Sequence, residues 1–223
     1  MPIKPTPYPW KTRLFFATSL DGFIARPNND ITWLTNPPKN PSHTPATPSP
    51  NRQTLSFEQH IAEVDVIVMG RVTYEVCRGF GEWPYPAEKR VFILSRKKRA
   101  QDLREKDRDE DEDEEQDMDW KNLNPGPNEN QFVSSIEEVE ELLTNSGTNM
   151  VYVDGGEVCR EFLRRGWVDE MVVTRAPVLL GEGRPLFGTE GVGDVRFTLK
   201  GVDVIEDGMV SCHYVKVEDE GPQ

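Results

Sequence analysis

The sequence has few cysteines and no long apolar run. Three cysteines occur among 223 residues, far apart along the chain, which argues against a disulfide framework. No apolar stretch approaches the ~20 residues that span a bilayer, and the first ten residues contain prolines where a signal peptide requires an apolar run. We therefore expect a cytoplasmic protein with reduced thiols and no role in a membrane.

The sequence also has little clustered positive charge. Its formal net charge is -13 at pH 7, whereas binding to nucleic acid requires clustered Lys and Arg. The basic cluster that does occur is the short segment 95–99, so no nucleic-acid partner is expected. His43, His60 and His213 lack the paired spacing of a zinc site, and no Ser or Cys has a recognisable nucleophile setting, so metal chemistry and hydrolysis are poorly supported.

Two segments have compositions that disfavour packed structure. Residues 35–53 are too rich in proline for a helix or a strand, and a long excursion is expected there. Residues 102–119 hold twelve acidic and three basic side chains, so an insert at 100–130 is predicted to be disordered by repulsion between like charges. Outside these two segments the sequence predicts a single domain over residues 11–218.

Apolar periodicity predicts helices alternating with strands, followed by consecutive strands. The predicted strands are 13–18, 64–70, 90–95 and 150–154. One predicted helix is 54–63, capped by Thr54 or Ser56, and another is 135–143, capped by Ser135. Two further helices are predicted to begin at Arg71 and at Gly156. Three strand-like runs end the chain, and Asp207-Gly208 separates the last two as in a hairpin. This order predicts an α/β fold with a mostly parallel central sheet, an antiparallel C-terminal edge and flanking helices.

Three of the predicted strands end in residues that suit phosphate groups. The segment 70–73 offers a glycine, a cation and a hydroxyl at a helix start, 95–96 offers a hydroxyl and a cation, and 155–156 offers two glycines before a helix. Because ligands bind outside the carboxyl ends of parallel strands, all three could converge on one dinucleotide. Each segment also has a simpler interpretation, as a strand exit, a solvated basic face or a plain turn.

Seven short segments follow one another in a defined order. They are "SLDGFIA" (19–25), "DITWL" (30–34), "VIVMGRVTYE" (66–75), "FILSR" (92–96), "VDGG" (153–156), "WVDEM" (167–171) and "PVLLGEGRPLF" (177–187). In this order they resemble the dihydrofolate-reductase-like reductases related to the C-terminal domain of the bifunctional riboflavin-pathway deaminase-reductase. The resemblance covers most of the chain outside the two excursions and the tail.

This resemblance implies an enzyme that uses NADPH. The cofactor-binding residues that it implies are Gly70, Arg71, Thr73, Ser95, Arg96, Gly155 and Gly156. The glycine pair is expected at the pyrophosphate, and Ser95 with Arg96 at the adenosine 2′-phosphate, where a guanidinium forms a bidentate pair and favours NADPH over NADH. Relatives are commonly homodimers, so a homodimer is also expected.

The resemblance further implies that the first loop closes over the nicotinamide and the substrate. The substrate-binding candidates are Ser19, Gly22, Trp33, Leu34, Gly181 and Gly183. Asp21 is the catalytic candidate, and work as a general acid would require burial to raise its pKa. The alternative interpretations are that Asp21-Gly22 only forms a turn and that Trp33 belongs to the core.

Substrate identity stays open between several hypotheses. The leading one is an NADPH-dependent reductase of a small heterocyclic substrate, similar to a pterin or a pyrimidine, or of a carbonyl compound. A riboflavin-pathway reductase is the named alternative, although the proline-rich excursion stands where such reductases carry basic and hydroxyl residues for a ribose phosphate. A third hypothesis is a non-catalytic nucleotide-binding or interaction protein that uses the acidic insert to recruit basic partners.

Overall fold

The computed structural model describes residues 8–36, 51–95, 130–188 and 193–217. The central part of the proline-rich excursion (37–50) and the acidic insert up to residue 129 lie outside the described residues. Arg96, one of the cofactor candidates, lies outside them as well.

Within these ranges the chain forms ten strands and five α-helices. The strands are β1 (Lys11–Thr18), β2 (Phe23–Ala25), β3 (Val66–Gly70), β4 (Arg90–Leu94), β5 (Asn130–Val133), β6 (Met150–Asp154), β7 (Glu170–Arg175), β8 (Arg184–Pro185), β9 (Phe197–Val204) and β10 (Val210–Lys216). The helices are α1 (Thr32–Thr35), α2 (Phe57–Glu63), α3 (Arg71–Arg78), α4 (Ile136–Asn145) and α5 (Gly156–Arg164). Over the part of the chain that is described, no helix has both the length and the apolar character needed to cross a membrane.

Eight strands form the central sheet in the order β5-β4-β3-β6-β1-β7-β10-β9. The six strands from β5 to β7 pair in parallel, whereas β10 pairs antiparallel with both β7 and β9. The predicted α/β fold with a parallel centre and an antiparallel C-terminal edge is therefore confirmed. The sequence did not predict the small second sheet, in which β2 pairs antiparallel with β8.

Both faces of the parallel sheet are covered by apolar packing. In β3, Val66 and Val68 belong to the cluster that includes residues of α4 and α5, while Ile67 and Met69 belong to the cluster that includes residues of α2 and α3. This alternation follows from the two-residue period of a strand. The sheet is thus the middle layer of three, and its apolar β-branched runs are those of strands buried on both faces.

Helix caps and the C-terminal hairpin follow the local sequence. Ser135 accepts a hydrogen bond from the amide of Glu138, as predicted for the start of α4, and Ser56 rather than Thr54 caps α2. The hairpin between β9 and β10 turns at Asp207 and Gly208, with φ angles of 57° and 72°. These are left-handed conformations, which glycine adopts without strain and aspartate tolerates.

A carboxylate on β9 holds the backbone that precedes the cap of α2. Asp203 is 1% exposed, and its Oδ2 accepts the amide of Thr54 at 2.6 Å and the amide of Gln53 at 2.8 Å. Beside it, a Cβ on Gly201 would lie 2.6 Å from the carbonyl oxygen of Gln53. The chain that returns from the proline-rich excursion is therefore fixed against the edge strand.

Replacement of this carboxylate should destabilise the domain. In Asp203→Ala two backbone amides lose their acceptor, so we expect the free energy of unfolding in urea to fall by about 3 kcal/mol. The control is Asp194→Ala, which removes an exposed carboxylate and should change this free energy by less than ~0.5 kcal/mol. Equal losses in the two variants would contradict the anchoring role.

The antiparallel edge carries exposed apolar side chains. Leu199 is 51% exposed, Val202 is 40% exposed and Val210 is 36% exposed. Such a surface is compatible with a subunit interface. The homodimer stays a prediction.

Candidate functional site

A cavity of about 680 Å³ opens at the carboxyl ends of the parallel strands. Six of the predicted site residues line it: Leu34, Arg71, Thr73, Ser95, Gly155 and Gly156. They come from separate segments of the chain, which meet because parallel strands end at the same edge of the sheet. The size is within the range of small-molecule and cofactor sites.

The glycine turn between β6 and α5 packs directly against the first turn of α3. Gly155 has φ of 91°, and a Cβ at this position would overlap the Oγ1 atom of Thr73. At Gly156 a Cβ would lie 3.0 Å from Nη1 of Arg160 and 3.2 Å from the carbonyl oxygen of Pro185. Gly155 is therefore required by both its left-handed conformation and the close approach of Thr73, whereas a side chain at position 156 would be crowded but not excluded.

Two helices begin at this edge with their amide ends toward the cavity. Gly70 is the residue before α3 and Gly155 is the residue before α5, and neither helix has a side-chain cap. The first amides of a helix lack intrahelical partners and carry partial positive charge, so such ends favour anions. Gly70 contributes backbone to this arrangement but does not itself line the cavity.

The cavity-lining arginines are each bound to another part of the protein. Arg71 forms an ion pair with Glu75 on the next turn of α3. Arg160 donates to the carbonyl oxygen of Pro185 at 2.9 Å, and Nε of Arg184 donates to Oδ1 of Asn29 at 3.3 Å. These contacts hold the guanidinium groups along the rim formed by α3, α5 and β8.

The first-loop candidates form a structural turn outside the cavity. The buried Ser19 donates from Oγ to Asp21 at 2.5 Å, and Asp21 accepts the amides of Leu180 at 3.2 Å and Gly181 at 2.7 Å. Gly22 accepts the amide of Leu186 through its carbonyl oxygen. These bonds tie the loop after β1 to the segment that leads into β8.

The electrostatics of Asp21 argue against its predicted role as a general acid. The hydroxyl of Ser19, followed by the amides of Gly181 and Leu180, lowers the pKa of the Asp21 carboxyl. A general acid needs the opposite shift, and this carboxylate is not among the residues that line the cavity. The alternative interpretation, in which Asp21-Gly22 forms a turn, fits the geometry.

Three other substrate candidates also serve packing. Trp33 is 7% exposed and lies in the interior, which agrees with the alternative interpretation given above. Its neighbour Leu34 lines the cavity. Gly181 has φ of 78° in the turn that receives Asp21. At Gly183 a Cβ would overlap the carbonyl oxygen of Ala25, so this glycine allows β2 and β8 to approach.

A carboxyl and a phenol that the sequence analysis did not select lie in the cavity. Asp154 is the last residue of β6, and its Oδ2 accepts a hydrogen bond of 2.5 Å from the hydroxyl of Tyr85. Both side chains line the cavity. Burial raises the pKa of Asp154, although the hydrogen bond from Tyr85 acts in the opposite direction. Burial also raises the pKa of Tyr85.

Sheet register places this carboxyl beside an apolar wall. Leu14 on β1 lies opposite Val153 on β6, so the next residues, Phe15 and Asp154, are neighbours on the same face. The wall, called here the apolar wall, consists of Phe15, Leu34, Phe57, Val76 and Phe80. The rings of Phe15 and Phe57 meet edge to face with centroids 5.7 Å apart.

One cysteine lies in the same region but does not provide a nucleophile. The thiol of Cys77 is 3.9 Å from the hydroxyl of Tyr85. Burial, with a smaller contribution from Asp154, raises the pKa of this thiol to about 12. A neutral thiol is a weak nucleophile. Among the described residues no cluster of His, Cys, Asp and Glu could hold a metal ion.

Little in the sequence indicates that Asp154 and Tyr85 lie together in a site. Asp154 stands directly before the glycine pair at a strand end, where catalytic side chains are common in α/β folds. Tyr85 lies between two prolines in a segment without periodicity. The two residues are 69 positions apart, so only the fold brings them together.

Comparison with known proteins places the chain in a family. Residues 11–211 match the family model of the RibD C-terminal domain, and the chain belongs to this family. The uncharacterized protein YwjB of Bacillus subtilis is 26% identical over 212 residues, which cover 92% of this chain and 98% of YwjB.

Solved structures agree with this assignment. A putative riboflavin biosynthesis protein from Shewanella sp. PV-4 has 29% identity and a TM-score of 0.68 and covers 93% of this chain and 99% of its own. Dihydrofolate reductase from Enterococcus faecalis, solved with NADP(H), has 14% identity and a TM-score of 0.55, with coverage of 95% and 99%. The latter likeness shows the fold alone. The chain is thus a reductase domain of the riboflavin-pathway type with the dihydrofolate-reductase-like fold.

Proposed function

We propose that this reductase domain uses NADPH to transfer a hydride to a small heterocyclic or carbonyl substrate. The observation that carries the proposal is the convergence of Thr73, Ser95 and the Gly155-Gly156 turn on one cavity, although each lies at the end of a different strand. Such a set suits a dinucleotide, whose phosphates are several ångströms apart and need separate anchoring points. When bound, NADPH supplies the hydride.

The residues of this chain would then bind and orient the cofactor. The amides at the start of α5 suit the pyrophosphate, because the glycine turn leaves no side chain in front of them. Thr73 suits a second phosphate contact, since its hydroxyl lies next to Gly155. Ser95, which is 4% exposed, and Arg96 are the proposed contacts of the adenosine 2′-phosphate.

A titration with NADPH and NADH tests this proposal. Following nicotinamide fluorescence, we expect a micromolar Kd for NADPH and a Kd at least ~10-fold higher for NADH, since a phosphate–guanidinium pair contributes more than 1 kcal/mol. Arg96→Ala should abolish the preference by weakening NADPH alone. Arg99→Ala, in the same basic cluster, is the control and should retain it. Absence of binding of either nucleotide at ~100 μM would refute the proposal.

Reduction of the riboflavin precursor is a second candidate function. It is favoured by the family and by the description of the Shewanella neighbour as a putative riboflavin biosynthesis protein. It requires a subsite for a ribose phosphate next to the reacting carbon. Consumption of NADPH with 5-amino-6-(5-phosphoribosylamino)uracil, followed by absorbance, tests this candidate: turnover would support it, and no turnover by protein that binds NADPH would contradict it.

A further inference from the structure

Helix α2 is a short element between two fixed points of the chain. Before it, Asp203 on the edge strand binds the amides of Gln53 and Thr54, and after it the chain enters the buried strand β3. Of the seven residues of α2, the buried ones are His60 and Ile61. Opening of an element with so few buried side chains exposes little apolar surface, so it does not require the whole domain to unfold. The segment between the two fixed points is therefore the part of the fold that can move as a unit.

The buried histidine of α2 lies in a site that suits a neutral ring. The ring of His60 stacks on Phe15 with centroids 4.9 Å apart and meets the ring of Tyr152 at 4.6 Å. Burial raises the pKa of Tyr152 well above its ordinary value, so this neighbour is neutral as well. Neither nitrogen of His60 has a hydrogen-bond partner among the described residues. A charged imidazolium at this position would lose water without gaining an acceptor, which is costly.

The charged groups around His60 do not offset a positive charge on its ring. Arg13 on β1 is bound on both sides, to Glu63 on α2 and to Glu170 on β7, each at 2.8 Å. Nε2 of His213, on β10, is 3.4 Å from the same Glu170 carboxylate. His213, followed by Arg13, lowers the pKa of Glu170 to about 2 although burial acts in the opposite direction, so this carboxylate stays charged in mild acid. Both carboxylates are thus engaged, and Arg13 lowers the pKa of His60 more than Glu170 raises it.

The same helix supplies part of the cavity. Phe57, the first residue of α2, belongs to the apolar wall and meets Phe15 edge to face. Phe15 contacts both the cavity and the ring of His60. Movement of α2 away from the sheet would therefore remove Phe57 from the wall and expose His60 to water in one step. The protonation of the histidine and the shape of the cavity are linked through this movement.

On the basis of the proposed function, we propose that α2 is a proton-sensitive wall of the cavity, which opens as a unit when His60 takes up a proton and which a dinucleotide bound in the cavity holds closed. In the open state the histidine binds its proton with the ordinary pKa of 6.5. Because the pKa is lower in the closed state, closure is favoured fully above this pH and is lost as pH falls. The ratio of open to closed molecules should rise by about 25-fold between pH 7 and pH 5.

Amide hydrogen exchange of the full chain, followed by NMR, tests the effect of the proton. After correction for the intrinsic exchange rate, the amides of residues 60–63 should be at least ~10-fold less protected at pH 7 than those of β3 and should lose a further ~25-fold by pH 5. His60→Leu should abolish this loss, and His43→Gln should retain it. Protection equal to that of β3, protection that does not fall in acid, or the same fall in His60→Leu would overturn the proposal. If His60→Leu does not fold, the wild-type series alone still decides between the first two outcomes and the expected one.

Ligand binding tests the coupling at pH 7. NADP⁺ at ~100 times its Kd, measured by calorimetry, should raise the protection of residues 60–63 by about 100-fold if it binds the closed form alone. The amides of the last turn of α4, on the other face of the sheet, are the control and should not change. Binding of NADP⁺ without a change at residues 60–63 would overturn the coupling and leave the cofactor proposal intact. If NADP⁺ does not bind, the cofactor proposal and the coupling both fail, whereas the pH series still decides whether His60 releases α2.

Discussion

Gly155→Ala is expected to weaken the binding of NADPH by at least ~100-fold. The new Cβ would overlap Oγ1 of Thr73, and the backbone at this position has φ of 91°, where a residue other than glycine is strained by about 1–3 kcal/mol. Relief of the overlap requires the turn or the first turn of α3 to move. Loss of two hydrogen bonds to the charged pyrophosphate would cost about 3 kcal/mol, which corresponds to roughly 100-fold in Kd.

A second glycine, Gly147, provides a control that separates the effect of backbone strain from the effect of the atomic overlap. Gly147, which follows α4, has φ of 66°, and a Cβ there would have no atom within 4 Å. Gly147→Ala should therefore lower the free energy of unfolding by about 1 kcal/mol through strain alone and leave the Kd of NADPH unchanged. Fluorescence titration and urea unfolding of both variants make the comparison. If Gly155→Ala bound NADPH as tightly as Gly147→Ala does, the glycine turn would not be the phosphate site.

The stability of the protein is expected to fall steeply in mild acid because of one buried histidine. His60 on α2 is 0% exposed, stacks on the ring of Phe15 at 4.9 Å and meets Tyr152 at 4.6 Å. Neither ring nitrogen has a hydrogen-bond partner among the described residues. Burial and the charge of Arg13 together lower the pKa of His60 to about 3, and burial is the larger cause. Glu170 has a smaller, opposing effect.

The direction of the effect follows from linkage. The unfolded chain binds the proton with the ordinary pKa of 6.5, so the stabilisation is complete above this pH and is lost as pH falls toward 3. The shift corresponds to a total on the order of 5 kcal/mol, of which about 2 kcal/mol should disappear between pH 7 and pH 5. Urea unfolding at a series of pH values measures this slope.

Two substitutions identify the group responsible for the slope. His60→Leu removes the imidazole, so the fall in the free energy of unfolding from pH 7 to pH 5 should disappear, whatever its absolute value. His43→Gln, in the proline-rich segment, leaves His60 in place and should keep the slope. A slope that survives in His60→Leu would show that another group titrates with folding.

Local patterns were sufficient to predict much of the fold. The β-branched run before Gly70 and the apolar run before Gly155 were predicted as buried strands. Continuous apolar runs are typical of parallel strands, because both faces of a parallel sheet are covered. Ser135, followed three residues later by Glu138, marked the start of a helix through a capping interaction that involves adjacent turns only. Asp207 and Gly208 marked a hairpin because few other residues adopt the left-handed region.

Contacts between distant segments were not predictable in the same way. Asp21 resembled a catalytic acid in a loop, but its partners Leu180 and Gly181 are about 160 positions away and only the folded chain shows that they lower its pKa. The amides of Gln53 and Thr54, which precede α2, are bound by Asp203 on the edge strand, about 150 positions away. Local sequence contains neither fact.

The central claim, that one cavity binds both the dinucleotide and its acceptor, is tested most directly by a crystal structure of the protein with NADP⁺. The account predicts the pyrophosphate within hydrogen-bond distance of the first amides of α5, beside Thr73, and the nicotinamide ring toward Phe15 and Asp154. A nucleotide bound at another surface, or with its nicotinamide directed away from the apolar wall, would contradict the claim.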